Sequence, residues 1–161
     1  MTSNSIRGAK VEDVTTIVDM IRAGSDERVF HSRDISVEES RKAFKKYAFE
    51  DRHRGYQILV SQVGSKIAGY VDYEVRRGVG HVLGIYIKQE CRRKGIGRQL
   101  LEKVLDNFHE EGCHKTRLEV FAHNTGAIKF YKHLGFAQEG FLHKDEDKKD
   151  TIILSRFLQN H

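Results

Sequence analysis

The stretch YIKQECRRKGIGRQLLEKVL, residues 86–105, joins two kinds of apolar pattern through a short cationic turn. Alternating apolar residues before the turn predict a strand, and apolar residues three and four apart after it predict a helix. Gly112 is placed to end that helix as a C′ glycine, and a further strand is predicted at Thr116–Ala122. A strand, a helix and a strand in this order form a right-handed crossover between parallel strands. The chain is therefore expected to have an α/β fold with at least one parallel strand pair.

Other apolar patterns on both sides of this unit complete a single domain of 161 residues. Tyr56–Val63 and Lys66–Glu74 flank a two-residue Gly-Ser turn, which predicts an antiparallel hairpin and hence a mixed sheet. The segment Gly24–Ser36 is polar and is expected to be irregular. The remaining predicted elements are a strand at Ser5–Ala9, helices at Glu12–Ala23 and Val37–Asp51, a strand at Val79–Lys88, a helix from Ile96 to Phe108, a helix at Asn124–Leu134, and strands at Phe136–His143 and Thr151–Leu158.

Composition argues against several classes of protein. No apolar run approaches the roughly 20 residues that span a bilayer, and the N-terminal residues lack the apolar core of a signal peptide. Cys91 and Cys113 do not make a disulfide framework, so we expect a cytoplasmic protein without a membrane partner. The net charge of +5 does not by itself favour nucleic acid, and the basic run Arg41–Tyr47 is typical of a solvated helix face. The cysteine and histidine spacing fits no zinc template, and no metal is expected.

The cationic turn has the features of a phosphate-binding site. Unpaired N–H groups and the helix dipole favour an anion at a helix N-terminus. Gly95 and Gly97 allow close approach of the backbone to a ligand, and we expect Arg92–Lys94 to add mobile positive charge. No Walker A string occurs, and Leu100 stands where the third glycine of a dinucleotide fingerprint would fall. An ordinary strand–helix turn with solvated cations is the alternative.

Two motifs in the right order make the chain similar to a known family. IYIKQECRRKGIGRQLLE resembles the acetyl-coenzyme-A motif of the GCN5-related N-acetyltransferase (GNAT) superfamily, whose core Q/R-x-x-G-x-G/A is matched by residues 92–97. LEVFAHNTGAIKFYKHLGFAQEG resembles the second motif, in which a strand, an asparagine and a short helix with a tyrosine precede L-G-F. The spacing is nearest to protein N-terminal alanine acetyltransferases and small-amine acetyltransferases. The resemblance implies one GNAT domain over residues 1–161: a mixed sheet of about seven strands with splayed parallel strands 4 and 5, flanked by four helices.

The resemblance implies that acetyl-CoA is the co-substrate and lies between the splayed strands, here residues 82–88 and 116–122. Backbone groups of Ile85 and Ile87 would pair with the pantetheine arm, and amides from Arg93 to Arg98 would hold the pyrophosphate. The expected coenzyme-binding residues are Ile85, Tyr86, Ile87, Arg92, Arg93, Lys94, Gly95, Ile96, Gly97, Arg98, Asn124, Ala127 and Tyr131.

Two residues are expected, from the resemblance, to catalyse acyl transfer. Tyr131 would be the general acid, because a phenol can protonate the expelled thiolate; the alternative is a half-buried structural tyrosine. Glu119 would be the general base, because a carboxylate that is partly desolvated on a central strand becomes a stronger base. Its alternative role is a salt bridge with Arg117. Competing bases, acting directly or through water, are Asp72, Glu74, His81 and His123.

The expected activity is direct transfer of an acetyl group from acetyl-CoA to a primary amine. The acceptor is either a small molecule, such as a polyamine, an aminoglycoside or an amino acid, or a protein N-terminus. An acyl-CoA-sensing module with the same cleft is the alternative outside enzymes, although a sensor needs no acid for the leaving group. In the family, two segments shape the acceptor pocket, here Gly24–Ser36 and Lys144–Asp150, and both carry charges of both signs. Whether the chain forms a homodimer is left open.

Overall fold

The computed structural model describes residues 3–31, 34–51 and 55–158. In these residues the strands and helices follow the predicted order. The strands are β1 (Asn4–Gly8), β2 (Tyr56–Val63), β3 (Lys66–Arg76), β4 (Val79–Ile87), β5 (Lys115–Phe121), β6 (Ala137–Leu142) and β7 (Thr151–Phe157). The α-helices are α1 (Val14–Asp26), α2 (Val37–Lys45), α3 (Ile96–Glu110) and α4 (Thr125–His133).

The strands form one mixed sheet in the order β1-β2-β3-β4-β5-β7-β6. The pair β4–β5 is parallel, and the other neighbouring pairs are antiparallel. The parallel pair is joined by α3, as a right-handed crossover requires. The seven strands, the four helices and the central parallel pair confirm the predicted fold class.

The C-terminal ends of the first two helices differ most from the prediction. α1 continues through Gly24 to Asp26, although the polar segment from Gly24 was expected to be irregular. The reason is that the chain folds back at the helix end: the amides of Val29 and Phe30 donate to the Gly24 carbonyl, and the Phe30 ring takes the space of a Gly24 side chain. The second helix ends at Lys45 and widens into a π-helical turn, Lys46–Glu50, instead of remaining α-helical to Asp51.

The sheet separates two apolar clusters. On one face, α3 and α4 pack against alternate sheet residues, including Val71, Tyr73 and Leu118. On the other face, α1 packs against residues that include Tyr70 and Tyr86. Because side chains alternate along a strand, the residues between those of the first cluster face the second side of the sheet.

The parallel pairing of β4 and β5 is short. Its register covers Val79–Val82 against Lys115–Leu118 and then stops, although both strands continue. A bulge stands at this point: Tyr73 is opposite Val82 and Asp72 is opposite Gly84, which leaves Leu83 as an extra residue. Leu83 is 46% exposed. Beyond the bulge, β4 stays paired with β3 and β5 stays paired with β7, so a gap opens in the middle of the sheet.

The packing of β4 against α3 leaves no room for a side chain at Gly80. A Cβ atom there would lie 2.5 Å from the ring of Phe108, which is fully buried and contacts Tyr73 edge-on. We expect Gly80→Ala to lower the free energy of unfolding by about 1–3 kcal/mol, as overpacked cores do. Gly126→Ala is the matched control, because a Cβ there meets nothing within 4 Å and alanine favours the helix. Urea unfolding measures the free energy of unfolding of both variants. Equal stability of Gly80→Ala and Gly126→Ala would contradict the packing of Gly80 against Phe108.

Candidate active site

The gap between β4 and β5 opens into a cleft of about 1500 Å³. Its walls come from the second half of β4, the turn before α3, the end of β5, and α4, with the segment after α1 on the other side. Of the expected coenzyme-binding residues, all but Lys94 line this cleft. The structure thus brings together residues that are up to 46 positions apart in the chain, from Ile85 to Tyr131.

The turn before α3 presents free N–H groups to the cleft. In the described part of the chain, no backbone carbonyl accepts a hydrogen bond from the amides of Arg93 to Arg98. Arg93 and Gly95 have positive φ angles of 60° and 79°, and Gly95 is the N-cap of α3. A left-handed arginine costs about 1–2 kcal/mol, whereas a left-handed glycine costs little. Free amides and the N-terminus of a 15-residue helix make this turn suited to an anion.

The side chain of Arg92 contacts other residues of the protein, whereas the sequence led us to expect it to be free to meet a ligand. Its guanidinium contacts the Glu27 carboxylate at 2.9 Å, donates to the Ile87 carbonyl at 2.8 Å, and lies over the Tyr86 ring. Partial burial would raise the pKa of Glu27, but hydrogen bonds from Arg92, Gln89 and Tyr86 outweigh it and lower this pKa to about 2. Arg92 therefore links the turn to the end of α1, and the positive charge expected to meet an anion is left to its neighbours Arg93 and Lys94.

Gly97 marks the place where a ligand can approach the helix. A Cβ atom on Gly97 would lie 3.5 Å from Ile87 and 3.6 Å from the Phe130 ring, which are ordinary contact distances. The fold alone therefore does not require glycine at this position. The small residue keeps the cleft open between β4 and α4, beside the free amides.

Tyr131 lies on α4 and faces the inner end of the cleft. It is only 6% exposed, and its ring packs edge-on against Phe130 and Phe136. Burial raises the pKa of Tyr131 above its usual range, so the hydroxyl stays protonated at neutral pH. No hydrogen-bond partner for that hydroxyl is found among the described residues, which leaves it available to a ligand.

The start of α4 is capped as the sequence suggested. The side chain of Asn124 accepts a hydrogen bond from the Ala127 amide at 3.3 Å, which is the N-cap role. Both residues also line the cleft. The cap occupies the carboxamide oxygen of Asn124 and leaves its amide NH₂ group free to donate to a ligand.

The carboxylate expected as general base, Glu119, lines the cleft but is exposed. The partial desolvation expected for it is therefore not found. The alternative salt bridge with Arg117 is also not found in the described residues.

Three of the four competing bases lie outside the cleft lining. Glu74 is paired with Arg76 at 2.8 Å. His81 lines a separate small cavity with arginines 76, 77 and 117. Burial, Arg117 and Arg76 lower the pKa of His81. His123 contacts the Arg28 carbonyl at 2.9 Å.

The fourth competitor, Asp72, lines the same cleft as Glu119. It lies deep in the fold with part of its surface open to the cleft, and it accepts a hydrogen bond from the Tyr56 hydroxyl at 2.7 Å. Burial raises the pKa of Asp72 to about 6, against the opposing effect of hydrogen bonds from Tyr56 and backbone amides. The sequence could name Asp72 only as one of several acids on the strands, because its burial depends on how β2, β3 and β4 pack.

The two segments expected to shape an acceptor pocket contact each other. His31 lies 2.8 Å from the Asp147 carboxylate and 3.4 Å from that of Glu146, and its ring packs edge-on against Phe121. His31 and Glu146 line the cleft. The contact narrows the cleft at the end of β5.

The cationic face of α2 is occupied by ion pairs. Arg41 contacts Asp19 at 3.2 Å, and Lys42 contacts Glu38 at 3.7 Å. These pairs agree with a solvated helix face. In the part of the chain that the structure describes, no helix is long and apolar enough to cross a membrane, and both cysteines are free.

Comparisons with known proteins show which proteins the chain is similar to. The L-methionine sulfoximine/L-methionine sulfone acetyltransferase of Pseudomonas aeruginosa is 30% identical over 98% of this chain and 94% of its own length. The ribosomal protein bS18 alanine N-acetyltransferase of Escherichia coli is 28% identical over 69% of this chain and 77% of its own. The structure of yncA from Salmonella typhimurium with its cofactor acetyl-CoA matches with a TM-score of 0.78 at 18% identity, over 99% of this chain and 96% of that one.

A family model provides the assignment, since it matches residues 24–136 and so spans both motifs and the cleft between them. The chain belongs to the acetyltransferase (GNAT) family.

Proposed function

We propose that the cleft between β4 and β5 holds acetyl-CoA and that the chain transfers its acetyl group directly to a primary amine of a small molecule. The observation that carries the proposal is that the splayed strands lead from the free amides before α3 to the hydroxyl of Tyr131. A family of N-acetyltransferases that use acetyl-CoA gives the reaction type. The residues present fit the coenzyme, because Gly97 leaves open a space that a side chain could fill without a clash.

In this proposal the turn and the strand hold different parts of the coenzyme. The amides of residues 93–98 and the helix dipole hold the pyrophosphate, assisted by Arg93, Lys94 and Arg98. On the β5 side, the backbone of β4 beyond Val82 has no strand partner, so Ile85 and Ile87 can pair with the pantetheine amides as an added strand would. Asn124 and Ala127 border the same channel from α4.

Tyr131 is the proposed acid for the leaving group. A tyrosine that stays protonated can donate to the thiolate as the carbon–sulfur bond breaks. It lies with the α3–α4 cluster on one side of the sheet, whereas Glu119 alternates with Leu118 and Val120 and so faces the other side. We therefore place the acceptor amine on the Glu119 side and the departing sulfur on the Tyr131 side.

The acceptor side suits a small cationic amine. Aromatic rings of Phe30, Tyr47 and Tyr56 line it together with carboxylates, including Glu119 and Glu146. An ammonium group is attracted by aromatic faces as well as by carboxylates. The contact between His31 and Asp147 narrows the way out, which favours a small molecule over a polypeptide.

Gly97→Glu is expected to lower acetyl-CoA affinity by at least about 100-fold, because a carboxylate would stand beside the pyrophosphate and fill its space. Folding should be unaffected, since the first side-chain atom fits. Lys94→Gln is the matched control: it lowers the charge of the same turn by the same single unit, but outside the cleft lining, and should weaken binding only several-fold. Calorimetry with acetyl-CoA measures both; equal effects would show that charge alone, and not position, decides binding.

Tyr131→Phe is expected to keep the fold and acetyl-CoA affinity and to lower kcat by about 10²–10⁴-fold, as loss of an acid typically does. The ring contacts with Phe130 and Phe136 are retained in this variant, so only the hydroxyl is tested. Steady-state thiol release gives kcat. Turnover at the unmutated rate would show that Tyr131 is only a structural residue.

A panel of amines tests the reaction and the acceptor class together. We expect faster thiol release with L-methionine sulfone, other amino acids or polyamines than with a peptide that begins with alanine. Mass spectrometry should find the acceptor heavier by one acetyl group. A faster reaction with the peptide would overturn the small-molecule assignment, and acetyl-CoA binding without turnover on any amine would favour a sensor.

A further inference from the structure

Asp72 is a carboxylate that the fold places at the bulge of β4. It pairs across the sheet with Gly84, and a Cβ atom on Gly84 would lie 2.9 Å from Asp72 Oδ1 and 3.3 Å from the Tyr70 hydroxyl. The missing side chain at Gly84 therefore makes the space that Asp72 occupies. Tyr56, on the neighbouring strand, fixes the other carboxylate oxygen through its hydroxyl at 2.7 Å.

Asp72 and Glu119 stand on the same face of the sheet, on opposite sides of the gap. Asp72 alternates with Val71 and Tyr73, which pack towards α3, so its side chain points to the other face. The last parallel pair, Val82 with Leu118, is followed by Glu119 on one strand and, past the bulge, by Gly84 on the other. Both carboxylates can therefore meet an amine that enters from this face.

The surroundings of the two carboxylates differ. The titratable groups that face Asp72 are the hydroxyls of Tyr56 and Tyr70, with Tyr47 and Glu74 nearby. None of these four groups is a cation, and the pKa of Asp72 is raised to about 6. A base with a pKa just below neutral is ionised at working pH and still binds a proton well.

We propose that Asp72 accepts the proton of the acceptor amine, and that Tyr56 is its positioning residue. This inference rests on the proposed acetyltransferase function. It gives Asp72 the role expected of Glu119 from sequence, and leaves Glu119 to attract the acceptor at the exposed rim of the cleft.

The proton and electron balance of this step is complete. The nitrogen lone pair of the neutral amine forms a bond to the thioester carbonyl carbon, and the nitrogen then carries a positive charge that makes its proton acidic. Asp72 takes that proton, the carbon–sulfur bond breaks with its electron pair on sulfur, and Tyr131 protonates the thiolate. The products are the acetylated amine and coenzyme A, and exchange with solvent restores both side chains.

Asp72→Asn tests the proposal because it removes the charge and keeps the size. We expect kcat/KM, corrected for the fraction of neutral amine, to fall by about 10²–10⁴-fold and to lose its rise with pH near 6. Acetyl-CoA affinity should stay within a few-fold. Glu74→Gln is the matched control, since it makes the same carboxyl-to-amide change two residues along β3, outside the cleft lining. It should keep the rate and the pH-dependent rise, with the rise moved slightly to lower pH because the Glu74 charge helps to raise the pKa of Asp72. The acceptor is the fastest amine of the panel.

Tyr56→Phe tests whether Tyr56 sets the pKa of Asp72, because a purely structural role of Tyr56 would leave the pH at which kcat/KM rises unchanged. The Tyr56 hydrogen bond stabilises the ionised carboxylate, so its removal should raise the pKa of Asp72. The rise of kcat/KM should then move to higher pH, with the maximal rate less affected. Carboxyl carbon NMR of the protein alone should show one aspartate titrating near pH 6, absent in Asp72→Asn and moved upward in Tyr56→Phe.

The outcomes separate this inference from the proposed function. Turnover by the unmutated protein with an unchanged pH profile in Asp72→Asn would overturn the inference and keep the function. Loss of the pH-dependent limb in Glu119→Gln but not in Asp72→Asn would assign the proton to Glu119. Absence of turnover in the unmutated protein would overturn the function itself, and an Asp72 carboxyl that titrates near pH 4 would overturn the inference without any activity measurement.

Discussion

The loss of pairing between β4 and β5 after Val82 and Leu118 is the constraint on which the rest of the site depends. Neighbouring strands normally satisfy each other's N–H and C=O groups along their whole length. Here the bulge at Leu83 lets β4 follow β3 while β5 follows β7, so an open channel replaces a strand pair. The channel runs from the N-terminus of α3 into the sheet, and an extended ligand with amide groups can occupy it as a strand would.

The same gap gives the reaction two different environments. One face carries Tyr131 in an apolar cluster, where burial keeps its hydroxyl protonated. The other face carries Asp72, whose pKa of about 6 leaves it mostly ionised at pH 7. Two groups with separated pKa values, one donor and one acceptor, are the pattern that acyl transfer to an amine requires. The fold holds the two side chains on opposite faces of the sheet, so the proposed acceptor amine and the proposed leaving sulfur would each meet a different group.

Much of this arrangement could be predicted from sequence, because it rests on local patterns. Periodicity predicted the strands and helices, and the glycines and cations at residues 92–97 indicated the turn that we propose binds the pyrophosphate. The ion pair of Arg92 with Glu27 could not be predicted, since Glu27 lies 65 residues away and reaches Arg92 only through the end of α1.

The two candidate bases, Glu119 and Asp72, show more clearly what sequence alone cannot predict. Glu119 and Asp72 look alike in sequence, since each is an acid between apolar or aromatic residues of a strand. Only the packing of three strands makes Asp72 deep and leaves Glu119 exposed, and the space for Asp72 depends on a missing side chain at Gly84. Solvation is a property of tertiary structure, so the strength of a base is not readable from spacing along the chain.

A crystal structure of the protein with acetyl-CoA tests the central claim most directly. We predict that the pantetheine arm lies between β4 and β5, the pyrophosphate meets the amides of residues 93–98, and the thioester sulfur lies within about 3–3.5 Å of the Tyr131 hydroxyl. The carbonyl carbon should be open to the face that carries Asp72 and Glu119. A coenzyme bound outside this gap, or a thioester shielded from that face, would contradict the account.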